Sequence, residues 1–252
     1  MSAPLHELVE YLDALLETNK IQDASLNGLQ IEASEHVAKV GIAVDAALAT
    51  IEMGVEMGCD LMVVHHGLFW GRDQPLCGPT GARAAACFRG GMSVYASHLP
   101  LDVHPEVGNN ALLADAVGAE PESRFGEYDG TKLGTIAVLP ESMPLAELAG
   151  RLASAGCDDQ VMWAFGKDPV RRLAVLTGSG CSFLQEAIDA GADCFITGES
   201  KHSAYHQARE AGLNCIFAGH YATETFGVRA VGDLLEDRFA IGTEWIHLPT
   251  GI

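Results

Sequence analysis

The 252-residue chain predicts an α/β fold made of two internally duplicated βαβαβα units, each a parallel sheet covered by helices on both faces in three α/β/α layers. Three observations carry this expectation. Residues 37–66 align without a gap with residues 170–199, so that Gly58-Cys59-Asp60 falls on Gly191-Ala192-Asp193. Downstream, Ala96, His98 and Asp102 fall on Ala218, His220 and Glu224. Within each copy, short aliphatic runs alternate with amphipathic stretches of helical period, and a composition of 48% hydrophobic and 19% charged residues supplies the core they need.

Taken in order, an N-terminal helix is expected over 4–18. In the first copy (repeat 37–118), strands are expected near 37–44, 61–65 and 93–97, with helices near 46–57, 81–90 and 108–117. The second copy (repeat 170–236) has strands near 171–177, 193–197 and 214–218, and helices near 181–190, 200–211 and 225–236. The first copy is the longer, and the Gly- and Pro-bearing loop 69–79 absorbs the difference. Residues 130–166 have no counterpart and read as an added strand, helix and strand. A last strand near 241–248 either stays with the second copy or returns to the first unit. The simplest division is therefore 1–126 and 127–252.

The formal charge of −19 disfavours nucleic acid as a partner, because phosphate binding needs an excess of Lys and Arg. A small anionic substrate stays compatible where metal ions reverse the local field. The seven cysteines contain no CxxC pair and read as buried thiols of a reducing compartment. The opening MSAPLHELVEYLDALLE carries acids and lacks a basic leader, and no apolar run approaches the ~20 residues that span a bilayer. A cytoplasmic protein is expected.

The chemistry is concentrated in histidines and carboxylates at predicted strand ends, where open α/β sheets bind ligands. His65-His66-Gly67 ends a strand, and Gly67 permits a turn there that lets both imidazoles face one cavity. In His98-Leu-Pro-Leu-Asp102 the proline argues for an ordered loop rather than a helical pair. Asp102 is then a ligand or an organiser of the Gly108-Asn109-Asn110 turn, and His98 is either a direct ligand or the residue that holds Asp102. Glu224, four residues after His220, opens the last long helix, where the helix dipole alone also favours an acid. Imidazole and carboxylate without thiolate leave Zn, Mn, Fe, Co and Ni open. Glu199 and His202 occupy the second copy's equivalent of the His doublet and its sequel, as candidate acid/base groups or as helix-capping neighbours. His6, His36, His104, His206 and His247 read as surface or partner-satisfied residues. The Thr177-Gly178-Ser179-Gly180 turn lacks the Walker pattern, no GxSxG elbow is present, and the Ser25–Gln30 string is a turn without chemistry of its own.

Together the strings SLNGLQIE (25–32), VVHHGLFW (63–70), SHLPLDVHPEVGNN (97–110), FITGESKH (195–202) and AGHYATETFGVRA (218–230) resemble the Nif-three-like family, also called the GTP cyclohydrolase 1 type 2 family. The resemblance runs over nearly the whole chain and matches short bacterial members without a central insert. It implies two intertwined α/β units with a dinuclear metal site at their interface. The implied ligands are His65, His66, Asp102, His220 and Glu224, the carboxylates bridging. It also implies a toroidal homohexamer. The expected activity is metal-dependent hydrolysis of a small molecule through a metal-activated water, of nucleotide (cyclohydrolase) or phosphoester type; the alternative is a non-catalytic metal-binding scaffold or metal-trafficking protein.

Overall fold

The computed structural model describes residues 2–71 and 74–252, so the loop expected over 69–79 lies partly outside the described residues. The chain opens with β1 (Ala3–Pro4) and α1 (Leu5–Leu16), whose Leu5, Leu8, Leu12 and Leu16 form one buried stripe at helical spacing. Then come β2 (Gly28–Ile31), β3 (His36–Val37), β4 (Lys39–Asp45), α2 (Leu48–Glu56), β5 (Leu61–His66), α3 (Gly78–Gly90), β6 (Ser93–Ala96) and the one-turn α4 (Leu99–Val103). The strands β5 and β6 are buried almost throughout, which is why they read as apolar runs rather than alternating ones.

The middle of the chain forms α5 (Asn109–Ala116), β7 (Glu120–Tyr128), β8 (Thr131–Met143), α6 (Leu145–Ser154), β9 (Val161–Trp163) and β10 (Val170–Val175). A 3-10 turn over Gly180–Phe183 leads into α7 (Leu184–Asp189), followed by β11 (Cys194–Thr197), α8 (His202–Ala211), β12 (Asn214–Phe217) and α9 (His220–Thr223). The chain ends with α10 (Thr225–Phe239) and β13 (Gly242–Trp245).

These elements form two compact units, Met1–Leu101 with Gly227–Leu248, and Asp102–Phe226 with Pro249–Ile252. In the first, the sheet order is β13-β4-β5-β6-β2, parallel except for β2, around a core that includes Ile51, Met62, Met92, Val94 and Ile246. In the second, the order is β7-β8-β10-β11-β12-β9 around Leu113, Leu139, Leu148, Leu173 and Ile196. Only β10, β11 and β12 are parallel there.

The architecture is thus mixed α/β, and three expectations need correction. The sheets are not purely parallel: β2 and β7 lie antiparallel at edges, and neither is anticipated by the apolar pattern because β7, EPESRFGEY, buries only Phe125 and Gly126. The division at 126/127 also gives way to breaks at 101/102 and 226/227. Each copy's third helix covers the other copy's sheet. Leu113, Ala114 and Val117 of α5 enter the core with Ala137 and Leu173. On α10, a Cβ at Gly232 would lie 2.9 Å from Ile42, so glycine there lets the helix settle on β4. A linear repeat records element spacing and carries no information on which sheet a helix covers. Thirdly, residues 99–103 are a helical turn; Pro100 sits in its first turn, where a missing N–H costs nothing.

The aligned Gly-x-Asp turns do the same job in both units. Asp60 Oδ2 accepts the N–H groups of Ala38 (2.7 Å) and Lys39 (3.1 Å), and Asp193 Oδ2 accepts those of Arg171 and Arg172, both at 2.9 Å. Each carboxylate pins the start of its unit's first parallel strand, which fixes the register and aligns the far strand ends. At those ends lie Asp45, His66 and Ser97 in one unit, and Thr177, Gly198 and Gly219 in the other.

Candidate metal centre

In the first unit, in-register pairing of β4 with β5 sets Asp45 opposite His66, and the Asp45 Oδ1 accepts from His66 Nδ1 at 2.8 Å. His65, fully buried, donates from Nδ1 to the Ser97 carbonyl at 3.0 Å. His98 caps the start of α4, and its Nδ1 donates to Asp23 Oδ1 at 2.9 Å. The imidazole centroids lie 4.7 Å (65 to 66), 5.0 Å (65 to 98) and 5.6 Å (66 to 98) apart. One ring nitrogen of each lies within 4.8 Å of the other two. Carbonyl and carboxylate oxygens can only accept, so all three Nδ1 atoms carry a proton and Nε2 is the ring nitrogen left to meet a cation.

His104 provides the contrast. Its Nδ1 accepts the N–H groups of Glu106 (3.2 Å) and Val107 (3.1 Å), the opposite tautomer, with the lone pair spent on its own backbone. Gly67 is required for space rather than for a left-handed turn: a Cβ there would lie 2.3 Å from Gln30 Nε2 and 2.7 Å from the Ala96 Cβ. The same Gln30 accepts the Leu68 N–H at 2.6 Å and so fixes the chain that leaves the doublet.

In the second unit, carboxylates dominate. Asp102 is buried, and its Oδ1 accepts from Asn109 Nδ2 at 2.8 Å and Thr177 Oγ1 at 3.2 Å. The Asn110 amide braces the Asp102 carbonyl (3.1 Å) and accepts the Thr177 N–H (2.8 Å). Glu224 follows the one-turn α9 and precedes α10, so it closes a turn that His220 begins instead of opening the long helix. His220 Nε2 stands 3.3 Å from Glu224 Oε2, and its Nδ1 stands 3.6 Å from Glu199 Oε1. The Glu224 hydrogen bond raises the His220 pKa to about 8 against the opposing effect of burial, with Glu199 adding to the rise. Gly178, at φ +63°, approaches this pair so closely that a Cβ would lie 2.2 Å from Glu224 Oε1. His202 stands exposed in the first turn of α8.

The residues fit divalent cations. Nitrogen donors backed on their other ring nitrogen, and carboxylates braced by amides and hydroxyls, are how metal ligands are oriented. All seven cysteines are free thiols, and burial raises the pKa of Cys59 and Cys87 to about 11, which keeps both protonated. Asp102 does brace the Gly108-Asn109-Asn110 turn, as one sequence reading has it, whereas sequence reasoning misses Asp23, Asp45 and the role of Thr177. Asp23 lies just ahead of the Ser25–Gln30 string, and its role depends on a fold that returns His98 to it. Asp45 carries a signal in hindsight, as the acid that ends the strand beside the doublet. The Ser97 carbonyl, being backbone, leaves no trace in side-chain identity.

A family model described as Duf34/NIF3 (NGG1p interacting factor 3) matches residues 3–250. A protein of Archaeoglobus fulgidus described as a GTP cyclohydrolase 1 type 2 homolog is 44% identical over 98% of this chain and 99% of its own. Among solved structures, TTHA1606 from Thermus thermophilus superposes with a TM-score of 0.90 at 42% identity, covering 99% of this chain and 100% of that one. Protein ybgI, described as of unknown function, gives a TM-score of 0.90 at 35% identity with the same coverage.

Proposed function

The chain belongs to the Duf34/NIF3 family, and from that premise we propose that it is a dinuclear metal-dependent hydrolase of small anionic substrates, of the nucleotide or phosphoester class. The proposed ligands of two divalent ions are His65, His66, Asp102, His220 and Glu224. The observation that carries the reading is the uniform backing of the imidazoles: His65 and His66 each donate from Nδ1 to an oxygen acceptor, the arrangement by which metal-ligating imidazoles are oriented. When bound, such ions lower the pKa of a water molecule toward neutrality and polarise the bond it attacks.

The chain's own residues would divide the remaining work. Asp102 and Glu224 offset cation charge. The Asn109 and Thr177 donors on Asp102 hold one of its oxygens in place. Glu199, beside His220 Nδ1, is positioned to carry a proton to or from a leaving group, and this role falls to it rather than to the exposed His202. A chain of net charge −19 repels polyanions, which favours a small substrate over nucleic acid. No helix among the described residues is long and apolar enough to cross a membrane.

The test is turnover of nucleotide and phosphoester panels by metal-loaded protein, with His65→Ala alongside. We expect hydrolysis by the wild-type protein and loss of at least about 100-fold in the variant, since losing a partner behind a ligand already costs 10–100-fold. Equal activity in the two proteins overturns the metal role. Tightly held metal without turnover on the whole panel favours a metal-binding scaffold instead.

A further inference from the structure

Building on the proton-carrying role given to Glu199 above, we propose that the buried hydroxyls of Thr197 and Thr223 are positioning groups. Acting through the backbone of Gly178, they hold Glu199 beside His220 for the transfer of a proton to the leaving group. The Thr177–Gly180 turn thereby acquires a chemical role.

Both threonines are fully buried, and the matching positions of the first copy are the buried Val64 and Leu101. Valine has nearly the shape of threonine, so packing alone does not ask for a hydroxyl at 197, and a buried hydroxyl without a partner costs stability. Both hydroxyls are fully used. Thr197 Oγ1 accepts the Gly180 N–H (2.9 Å) and donates to the Gly178 carbonyl (3.1 Å). Thr223 Oγ1 accepts the Gly178 N–H (3.1 Å) and donates to the His220 carbonyl (3.0 Å).

The Gly178 carbonyl also accepts the N–H groups of Gly198 (2.8 Å) and Glu199 (3.2 Å), so three donors meet on one oxygen. A Cβ at Gly198 would lie 2.6 Å from that oxygen, which is why the strand end before Glu199 can come so close. On its other side Glu199 is held through its carbonyl, which accepts the Cys181 S–H at 3.2 Å. Contacts thus run from the Glu199 N–H to Gly178, from Gly178 to Thr223 and from Thr223 to His220. They tie together the backbones of two residues whose side chains stand 3.6 Å apart. The first copy has His66 in place of Glu199 and Asp45 in place of Gly178, and it does without either hydroxyl. The hydroxyls go with the acid.

In the step they serve, a water oxygen bonds to phosphorus and the bond from phosphorus to the leaving oxygen breaks, its electron pair going to that oxygen. Glu199 takes a proton from the water and delivers it to the leaving oxygen, ending as it began. Misplacing such a group by about 1 Å costs about 100-fold.

The experiment compares methyl phosphate with p-nitrophenyl phosphate, using the metal-loaded full chain. Departing methoxide needs the proton, whereas p-nitrophenolate leaves without it. We expect Thr197→Val and Thr223→Val each to lower kcat on methyl phosphate about 10–100-fold with KM little changed, and to cost p-nitrophenyl phosphate less than about threefold. Thr197→Ser and Thr223→Ser should keep the wild-type rate. In Glu199→Gln protein, which lacks the transfer itself, adding either valine should cost nothing further. Equal losses on the two esters, serine variants as slow as the valine ones, or valine effects that add to Glu199→Gln overturn the proposal. Amide exchange in the metal-free wild-type protein needs no substitution: the Gly178 and Gly180 N–H groups should be protected at least about 100-fold, and exchange at the rate of an exposed chain overturns it. Wild-type protein that turns over neither ester sinks the phosphoester reading above together with this one. Turnover of both, with valine variants indistinguishable from wild type, sinks only the positioning role.

Discussion

In the unit that contains His65, His66 and His98, each of these donors is a nitrogen backed by an oxygen acceptor: the Ser97 carbonyl, Asp45 and Asp23. In the unit that contains Asp102, His220 and Glu224, two of the three donors are carboxylates, and Asp102 is backed by the neutral donors Asn109 and Thr177. The aligned strand ends are the same, yet the chemistry is reversed. At the positions matching His65-His66, the second copy carries Gly198-Glu199; at the position matching Asp45 it carries Gly178. Glycine is needed at both, since a Cβ at Gly198 would lie 2.6 Å from the His220 Cα and one at Gly178 would meet Glu224. On the proposed function, one unit would supply oriented imidazole nitrogens and the other negative charge.

Substitutions behind the donors should therefore differ between units. The largest effect is expected at Asp45→Asn: replacing a charged acceptor behind His66 should weaken metal binding about 10–100-fold in calorimetric titration, with the fold unchanged by circular dichroism. Gly178→Ala should follow, at about tenfold, because the methyl displaces Glu224. That substitution also places an L residue at φ +63°, worth about 1–2 kcal/mol in denaturant unfolding. Asn109→Ala should cost only a few-fold, as Asp102 keeps its charge and its Thr177 bond. If Asn109→Ala costs more than Asp45→Asn, the proposed division between nitrogen geometry and carboxylate charge is wrong.

The smallest effect on metal is expected at Asp193→Ala, remote in role from the donors. Burial works to raise this carboxyl's pKa, but the N–H groups of Arg172 and Arg171 and the Lys167 ammonium overcome it and hold it below the ordinary value. Its stabilisation is thus present above the unfolded carboxylate range near 3.9 and is lost as pH falls through the depressed folded value. The variant should lose about 2 kcal/mol at pH 7, less in acid, with unchanged metal affinity. A cost that stays constant with pH would show that the charge is not what matters.

Much of this was legible in the sequence. Elements with long apolar or amphipathic signals, such as β5 and α10, stand within a few residues of their expected bounds. The aligned Asp60 and Asp193 do one structural job, each accepting backbone N–H groups at the start of a parallel strand. Edge strands were not legible, because a strand exposed on one face and at one rim, like β7, has no apolar run to announce it. The exchange of α5 and α10 was also hidden, since amphipathicity says that a helix is covered and not by what. The candidate ligands were readable as residue types at strand ends, whereas Asp23 acts across 75 residues of chain and appears only when the fold returns His98 to it.

The most direct test of the account is the metal content of wild-type protein, measured by elemental analysis after exhaustive dialysis and again for His65→Ala. The account predicts two tightly held divalent ions per chain in the wild type and fewer in the variant. Metal-free wild-type protein that cannot be loaded, or a variant with the wild-type content, would contradict it.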